Sequence, residues 1–454
     1  MKRCFLFLFV ICSTIVAQDQ IKIPYERHIL PNGLNVILHI DQTTPTVSVN
    51  MWYHVGSGHE KPGRTGFAHL FEHLMFEGSG NVAEGDFDRL LEAAGGQNNG
   101  STNVDRTNYF EDVPSNALEL ALYLDSDRMG FLVDAMTPEK VDGQRDVVKN
   151  EKRQSYDNRP YGLAWENIYK NLYPEGHPYS WTTIGSMEDL SAASYEDVVE
   201  FFRTYYIPNN ASLSIAGDID PVETLKLVEK WFGDIPVGKP IPPQNPATAN
   251  LNKERVIIKE DKVQLPRLYM IWITPKRFSP GDAEMDLLAN ILAGGKNSRL
   301  YQKLVYELQI AQDVTAFQNS NKLSSEFMII STARAGYNLE EIKQVIQEEI
   351  DKLKKELPSE RELIRAVNQY EASFIDALER PGGFGGKADM LNSYFYYTGN
   401  PDYANEDLAR YKALSTDDIQ AATLSFLPDN GRVVLSIVPN GKTELAVQPK
   451  SEVK

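Results

Sequence analysis

Cysteine is almost missing from this 454-residue chain: the two present, Cys4 and Cys12, both fall in its first twelve residues. Lys2 and Arg3 precede an apolar run from Phe5 to Ile11, and the small Ala17 precedes polar Gln18-Asp19-Gln20. That layout predicts a cleaved secretory signal over residues 1–17. Export to the periplasm of a Gram-negative bacterium is the expectation. The mature chain then has neither a disulfide nor a thiolate to offer a metal. Cys12 is not read as a lipid-attachment site, because Phe9-Val10-Ile11 before it lacks the small residue such a site needs. Long apolar runs are missing too, so no stable membrane span is expected. Basic charge is also in deficit, with 46 Lys and Arg against 63 Asp and Glu and a net charge of −17. Nucleic acid and anionic membrane surfaces both demand a basic footprint and are excluded as partners.

Histidine is scarce, at seven residues, yet two of the seven lie together in Gly66-Phe67-Ala68-His69-Leu70-Phe71-Glu72-His73-Leu74-Met75-Phe76-Glu77-Gly78. On a helix His69 and His73 are one turn apart on the same face, close enough for both imidazoles to hold one ion. Glu72 lies beside them and can reach a water on that ion. The order His-x-x-Glu-His is the inverted zincin pattern. Thr65 is the expected N-cap, Gly78 and Gly80 can end the helix, and Phe71, Leu74 and Met75 supply an apolar side. The competing reading is two histidines on an ordinary polar helix face.

The length predicts two to four domains. Leu34 to Ile40 reads as a strand after the Pro31-Asn32-Gly33 turn, and Val47, Val49, Met51, Tyr53 and Val55 alternate as one buried strand face. Phe87 to Ala94 reads as a helix stopped by Gly95-Gly96, and Asn98 to Thr102 as a turn leading into an extended segment. Thr137-Pro138 starts a helix running to about Gln154. Five prolines between Pro236 and Pro246 mark 236–250 as a linker.

Beyond the linker the pattern restarts. The helix, Pro-Asn or Pro-Asp turn and strand of Tyr195 to Ala216 recur from Thr416 to Val438, about 220 residues later. The chain is therefore expected to be α+β with two similar halves: 18–235 carrying the motif, and 251–445 without it, followed by a tail at 446–454. In the second half Asp286, Ala289 and Asn290 stand roughly where the first has His69, Glu72 and His73.

Two imidazoles leave zinc short of ligands, and with no cysteine the third must be histidine or carboxylate. Glu151, on the well-signalled helix beside Val147 and Val148, is the best candidate; a solvated helix glutamate is the alternative. An acidified zinc water attacking a carbonyl, with Glu72 taking its proton and passing it to the leaving amine, is peptide hydrolysis.

His69-Leu70-Phe71-Glu72-His73 followed by Arg145-Asp146-Val147-Val148-Lys149-Asn150-Glu151 closely resembles the pitrilysin or insulinase type of zinc peptidase, in the shorter branch typified by mitochondrial processing peptidase. Tyr206-Ile207-Pro208-Asn209-Asn210 and Gly217-Asp218 are further landmarks, and the resemblance covers essentially the whole mature chain. It implies one zinc per chain held by His69, His73 and Glu151, with Glu72 as general base. It also implies two halves, each a mainly antiparallel sheet with helices packed on it, facing each other as a clamshell around an extended peptide. Asn99, Gly100 and Ser101 would be a strand edge that pairs with substrate backbone.

Two departures matter. Gln144 stands where the family usually has a second acid, in a position to support the ligands without charge. Val305 and Gln312 stand where it usually has an Arg and a Tyr that hold the substrate carbonyl. The expected partner is accordingly a homologous metal-free subunit carrying that Arg/Tyr pair, or a second copy of the chain. The alternatives are a peptide-binding or assembly subunit that cleaves weakly, and a zinc-dependent structural protein.

Overall fold

The computed structural model describes residues 21–449; the expected signal at 1–17, both cysteines and the end of the tail lie outside them. Two sheets organise the described chain. The first contains β1 (Glu26–Ile29), β2 (Asn35–Ile40), β3 (Thr46–Tyr53), β4 (Gln97–Thr102), β5 (Thr107–Pro114) and β6 (Ala211–Gly217), in the order β1-β2-β6-β3-β5-β4. The second contains β7 (Arg255–Asp261), β8 (Arg267–Thr274), β9 (Ala311–Asn319), β10 (Ser325–Ala333) and β11 (Arg432–Pro439), in the order β7-β11-β8-β10-β9. Five strands of the first match the second one for one. Each sheet has a single parallel pair, β2 with β6 and β7 with β11, in an otherwise antiparallel ladder. The expected α+β class with two similar halves is the architecture observed.

The first half carries α1 (Phe67–Leu74), α2 (Asp86–Ala93), α3 (Leu118–Ala135), α4 (Pro138–Lys152), α5 (Ala164–Leu172), α6 (Met187–Ala192), α7 (Tyr195–Tyr205) and α8 (Pro221–Phe232). The second carries α9 (Asp282–Ala293), α10 (Leu339–Lys355), α11 (Glu360–Glu379), α12 (Lys387–Thr398), α13 (Ala404–Lys412) and α14 (Thr416–Phe426). The repeat extends to the caps. Ser194 and Ser415 accept from the backbone of Asp197 and Asp418 to open α7 and α14, each leading into the strand at its sheet's parallel pair.

Val47, Val49, Met51 and Tyr53 face a core shared with α1, α3, α7 and α8, as their alternation requires. Their polar neighbours Ser48 and Asn50 are buried as well, which alternation alone does not foretell. The cause is an exchange of helices between halves. From the second half, α12 crosses onto this face: Asn392 donates to the Asn50 carbonyl at 2.8 Å, and Asp389 Oδ1 accepts from Trp52 Nε1 at 2.8 Å and Asn108 Nδ2 at 3.0 Å. In return α5 presses Ala164, Ile168 and Leu172 onto Tyr269, Ile271, Met328, Val433 and Leu435 of the second sheet. At about 1.5–3 kcal/mol for each large apolar side chain buried, that contact holds the two halves together. The segment 236–250 carries no helix or strand but is pinned, Asn209 exchanging two hydrogen bonds with Gly238.

Two local expectations change. Residues 97–102 are the terminal strand β4 rather than a turn, because they pair in register with Thr107 to Asp112. The helix opened by Thr137 leaves α-geometry at Lys152 and continues as one wider turn, Arg153–Asp157. No described helix is long and apolar enough to cross a membrane.

Candidate metal centre and active site

An isolated eight-residue helix is not stable in water, so α1 owes its place to packing. Phe67, Ala68, Leu70, Phe71 and Leu74 are buried, with the Phe71 ring stacked on Phe201 and Phe202 at 5.5 and 5.9 Å. That fixes the rotation of α1 and leaves His69, Glu72 and His73 half-buried on its other side.

Thr65 does not cap this helix. Its N–H and hydroxyl both go to Asp189, at 3.0 and 2.6 Å. The N-cap is Gly66, at φ +93°, where a Cβ would meet the Ile184 carbonyl oxygen at 2.8 Å. The free N–H groups of Gly66 and Ala68 are taken by the carboxylate of Glu60 at 3.0 and 2.8 Å. Trp181 Nε1 donates to the same carboxylate at 3.1 Å. Glu60 lies too far from the helix start for local capping rules to find it.

Glu151 stands near the end of α4, which Thr137 opens by accepting from Lys140 N at 3.3 Å and which buries Val141 and Val148. Its Oε2 lies 3.6 Å from His69 Nε2 and 3.4 Å from His73 Nε2. The imidazoles meet nearly edge to face, 4.8 Å between centres. Tetrahedral zinc with bonds of about 2.0–2.1 Å holds its ligand atoms about 3.3–3.4 Å apart. The carboxylate-to-imidazole distances, 3.4 and 3.6 Å, lie at and slightly above that value, and two nitrogens with one carboxylate oxygen form a donor set that catalytic zinc uses. The donor chemistry of these residues is of the kind that can hold one metal ion, with the three ligand atoms within 4.8 Å of one another. Among the described residues they are the only such group of His, Cys, Asp and Glu.

Protonation agrees with ligation. Burial lowers the pKa of His69 against the opposing pull of Glu151 and Glu72. The hydrogen bond to His73 lowers that of Glu151, aided by the charge of His69 and opposed by burial. Neutral imidazole and ionised carboxylate are the forms a metal binds.

The Glu72 side chain makes neither a hydrogen bond nor an ion pair among the described residues, and β4 runs beside it. A Cβ on Gly100 would lie 3.4 Å from Glu72 Cγ and 3.1 Å from the Tyr109 ring. β4 ends the sheet, pairing only with β5, so one row of its backbone groups points away from the ladder. Asn99 is exposed, with its Oδ1 on the Gly100 N–H at 2.8 Å; Ser101 Oγ donates to Asn108 at 2.6 Å.

Gln144 touches none of the three grouped side chains. Its amide donates to Glu77 Oε1 at 2.7 Å, while Lys140 Nζ holds the Glu77 carbonyl at 2.7 Å. Burial and Glu84 raise the Glu77 pKa; Lys140 and His73 oppose them. Sequence reasoning missed Glu77, although its position four residues after His73 was a signal. In the second half Asp286 accepts from Tyr411 at 2.6 Å and Asn290 donates to Gln369 at 2.6 Å. Val305 packs against the second core, and Gln312 is exposed on β9.

Residues 35–182 match the family description Insulinase (Peptidase family M16), and 192–370 match Peptidase M16 inactive domain. The zinc protease PqqE of Helicobacter pylori is 30% identical over 377 residues, which cover 81% of this chain and 83% of that one. The chain belongs to the M16, or insulinase, peptidase family. A solved protease from Helicobacter pylori superposes with a TM-score of 0.86 at 26% identity, over 92% of this chain and 99% of that one. The periplasmic protease PqqL of Escherichia coli superposes at 0.77 and 18% identity, over 94% of this chain but 49% of its own. The insulinase match contains His69, Glu72, His73 and Glu151. The inactive-domain match contains α9, which has no histidine.

Proposed function

We propose that this protein is a zinc-dependent endopeptidase acting on extended or unfolded peptides, with one zinc per chain. The observation that carries the reading is the convergence of His69, His73 and Glu151 from two helices, with Glu72 unengaged beside them. His69, His73 and Glu151 hold the ion. A bound zinc supplies a water acidified toward neutral pH and polarises the scissile carbonyl. Glu72 takes the proton as the water oxygen attacks the carbonyl carbon, then delivers it to the amine as the C–N bond breaks. Asn99, Gly100 and Ser101 align the substrate by pairing with its backbone, which selects extended chains more than particular sequences. Because Gly100 has no side chain, that strand can run against Glu72. Gln144 acts at one remove, by orienting Glu77.

Neither Val305 nor Gln312 can stabilise an oxyanion as an Arg/Tyr pair would. We therefore assign the chain to an assembly with a homologous metal-free subunit bearing that pair, or with a second copy of itself. The match to only half of PqqL supports this, since a peptidase of similar fold uses twice the length. That protein's name and the leader-like first 17 residues support a periplasmic location. We take 18–235 as the zinc-bearing domain, 236–250 as the linker and 251–445 as its metal-free homologue. The departures at 305 and 312 also favour a second reading, a peptide-binding or assembly subunit that cleaves weakly.

Zinc-loaded mature chain, alone and with whatever co-purifies from its native envelope, is to be assayed on an unfolded peptide library before and after chelation. Zinc-dependent cleavage that rises with the partner is expected. Equal activity without a partner removes the claim of a metal-free partner subunit and leaves only a second copy of the chain, and full zinc with no cleavage in either sample favours the second reading.

A further inference from the structure

Glu151 forms one wall of a cavity of about 380 Å³ whose other walls bring the two halves together. Tyr156, Arg159, Tyr161 and Trp165 come from the segment after α4, and Arg267 and Tyr269 from β8. The lining is aromatic with two guanidinium groups. Arg267 lies over the Tyr161 ring, 3.8 Å from its centre, and its Nε donates to Thr332 at 2.9 Å. Among the described residues neither Arg159 nor Arg267 has a carboxylate oxygen within 4.0 Å.

The acids around the cavity bond to groups other than the two guanidiniums. Asp261 spends one oxygen on the Tyr161 N–H at 2.8 Å and the other on Lys262 N at 2.6 Å. Asp313 accepts from Thr332 N at 3.1 Å, and Glu166 pairs with Lys152 at 3.2 Å. Glu151 faces the histidines. Neither guanidinium is therefore paired directly with a carboxylate, although Glu151, Asp261 and Asp313 stand around the same space.

The wall is also over-determined. Tyr161 sits at φ +60°, a costly conformation for a bulky residue. It is held there from the second half by Asp261 and by the Leu265 carbonyl, which accepts from its hydroxyl at 2.8 Å. The fold thus keeps an aromatic ring under Arg267.

We infer that this cavity receives a carboxylate of the peptide, either an Asp or Glu side chain near the cleaved bond or a free C-terminus. The inference rests on the peptidase reading, because the cavity adjoins Glu151. A guanidinium over an aromatic face is planar, permanently charged and able to grip a carboxylate with two N–H groups. A lysine or arginine side chain entering the same space would meet two like charges. On a chain of net charge −17, whose overall field repels acidic peptides, the pair of arginines offers a carboxylate two cationic donors close to Glu151.

The test uses zinc-loaded Glu72→Gln protein, so that binding is read without cutting. Fluorescent peptides of one sequence, C-terminally amidated, carry Glu, Gln or Lys at successive positions, and one Gln peptide keeps a free C-terminus. At one position, or at the free terminus, the carboxylate peptide should bind about tenfold more tightly than its amide counterpart. Arg159→Gln alters an exposed side chain and should remove part of that preference; adding Arg267→Gln should remove the rest. Equal affinity for all peptides, no binding of any, or a preference that survives both substitutions overturns the inference. A preference retained by a protein whose wild type never cleaves overturns the peptidase reading alone.

Discussion

Gln144 donates its side-chain amide to Oε1 of Glu77 at 2.7 Å, tying α4 to the chain just beyond His73. A neutral residue thus holds an acid beside the ligands, where an acid at 144 would itself add charge. Gln144→Leu should free Glu77 and weaken zinc binding by about tenfold, the lower end of what lost outer partners cost. Titration against a chromophoric chelator reads this directly, and an unchanged Kd would mean that Glu77 does nothing for the metal.

Gly100 brings β4 up against the proposed base. In Gly100→Ala the new methyl comes within 3.1 Å of the Tyr109 ring, which must yield by a few tenths of an ångström, and into contact with Glu72 Cγ at 3.4 Å, so the strand and the carboxylate shift relative to one another. Small misplacements of reacting groups are expensive. kcat/KM should fall by about tenfold with zinc content unchanged; equal kinetics would mean that the strand edge does not set the position of Glu72.

Asp389 on α12 serves Trp52 and Asn108 with a single oxygen. Asp389→Ala leaves the buried Trp52 and Asn108 donors unpaired, at about 1–3 kcal/mol. The urea midpoint should drop accordingly. No change would indicate that the exchanged helix is not held by these bonds.

Glu326 is buried under Tyr173, Asn319 and Asn321. Burial, opposed by those hydrogen bonds, raises its pKa from 4.5 to about 8. Between those values the folded state binds the proton that the unfolded state has lost, so this contribution to stability is full at the acid end and fades as pH rises. Tm of the wild type relative to Glu326→Gln should fall from about pH 4.5 to about pH 8. A pH-independent difference would mean that Glu326 is ionised throughout.

Much of the site could be read from the chain because its determinants are local. The spacing of His69, Glu72 and His73 sets one helix face, and Thr137-Pro138 starts the helix that delivers Glu151. The repeat from Tyr195 to Thr416 foretold two like halves. The unreadable parts depend on partners distant in sequence. Glu60 caps α1 through a loop. Ser48 and Asn50 look solvent-facing until α12 covers them, and Arg267 gains its meaning only where β8 meets Tyr161. Asn98 to Thr102 reads locally as a turn because Asn-Asn-Gly has little strand propensity, and only the family resemblance implied a strand edge at Asn99 to Ser101; pairing with Thr107 to Asp112 makes it one.

The division of labour between Glu72 and the three grouped side chains is tested most directly by measuring zinc content and peptide hydrolysis on one preparation of Glu72→Gln. We expect one zinc per chain, as in the wild type, with the rate lower by about 10²–10⁴-fold. Hydrolysis at the wild-type rate, or loss of zinc together with activity, would contradict the account.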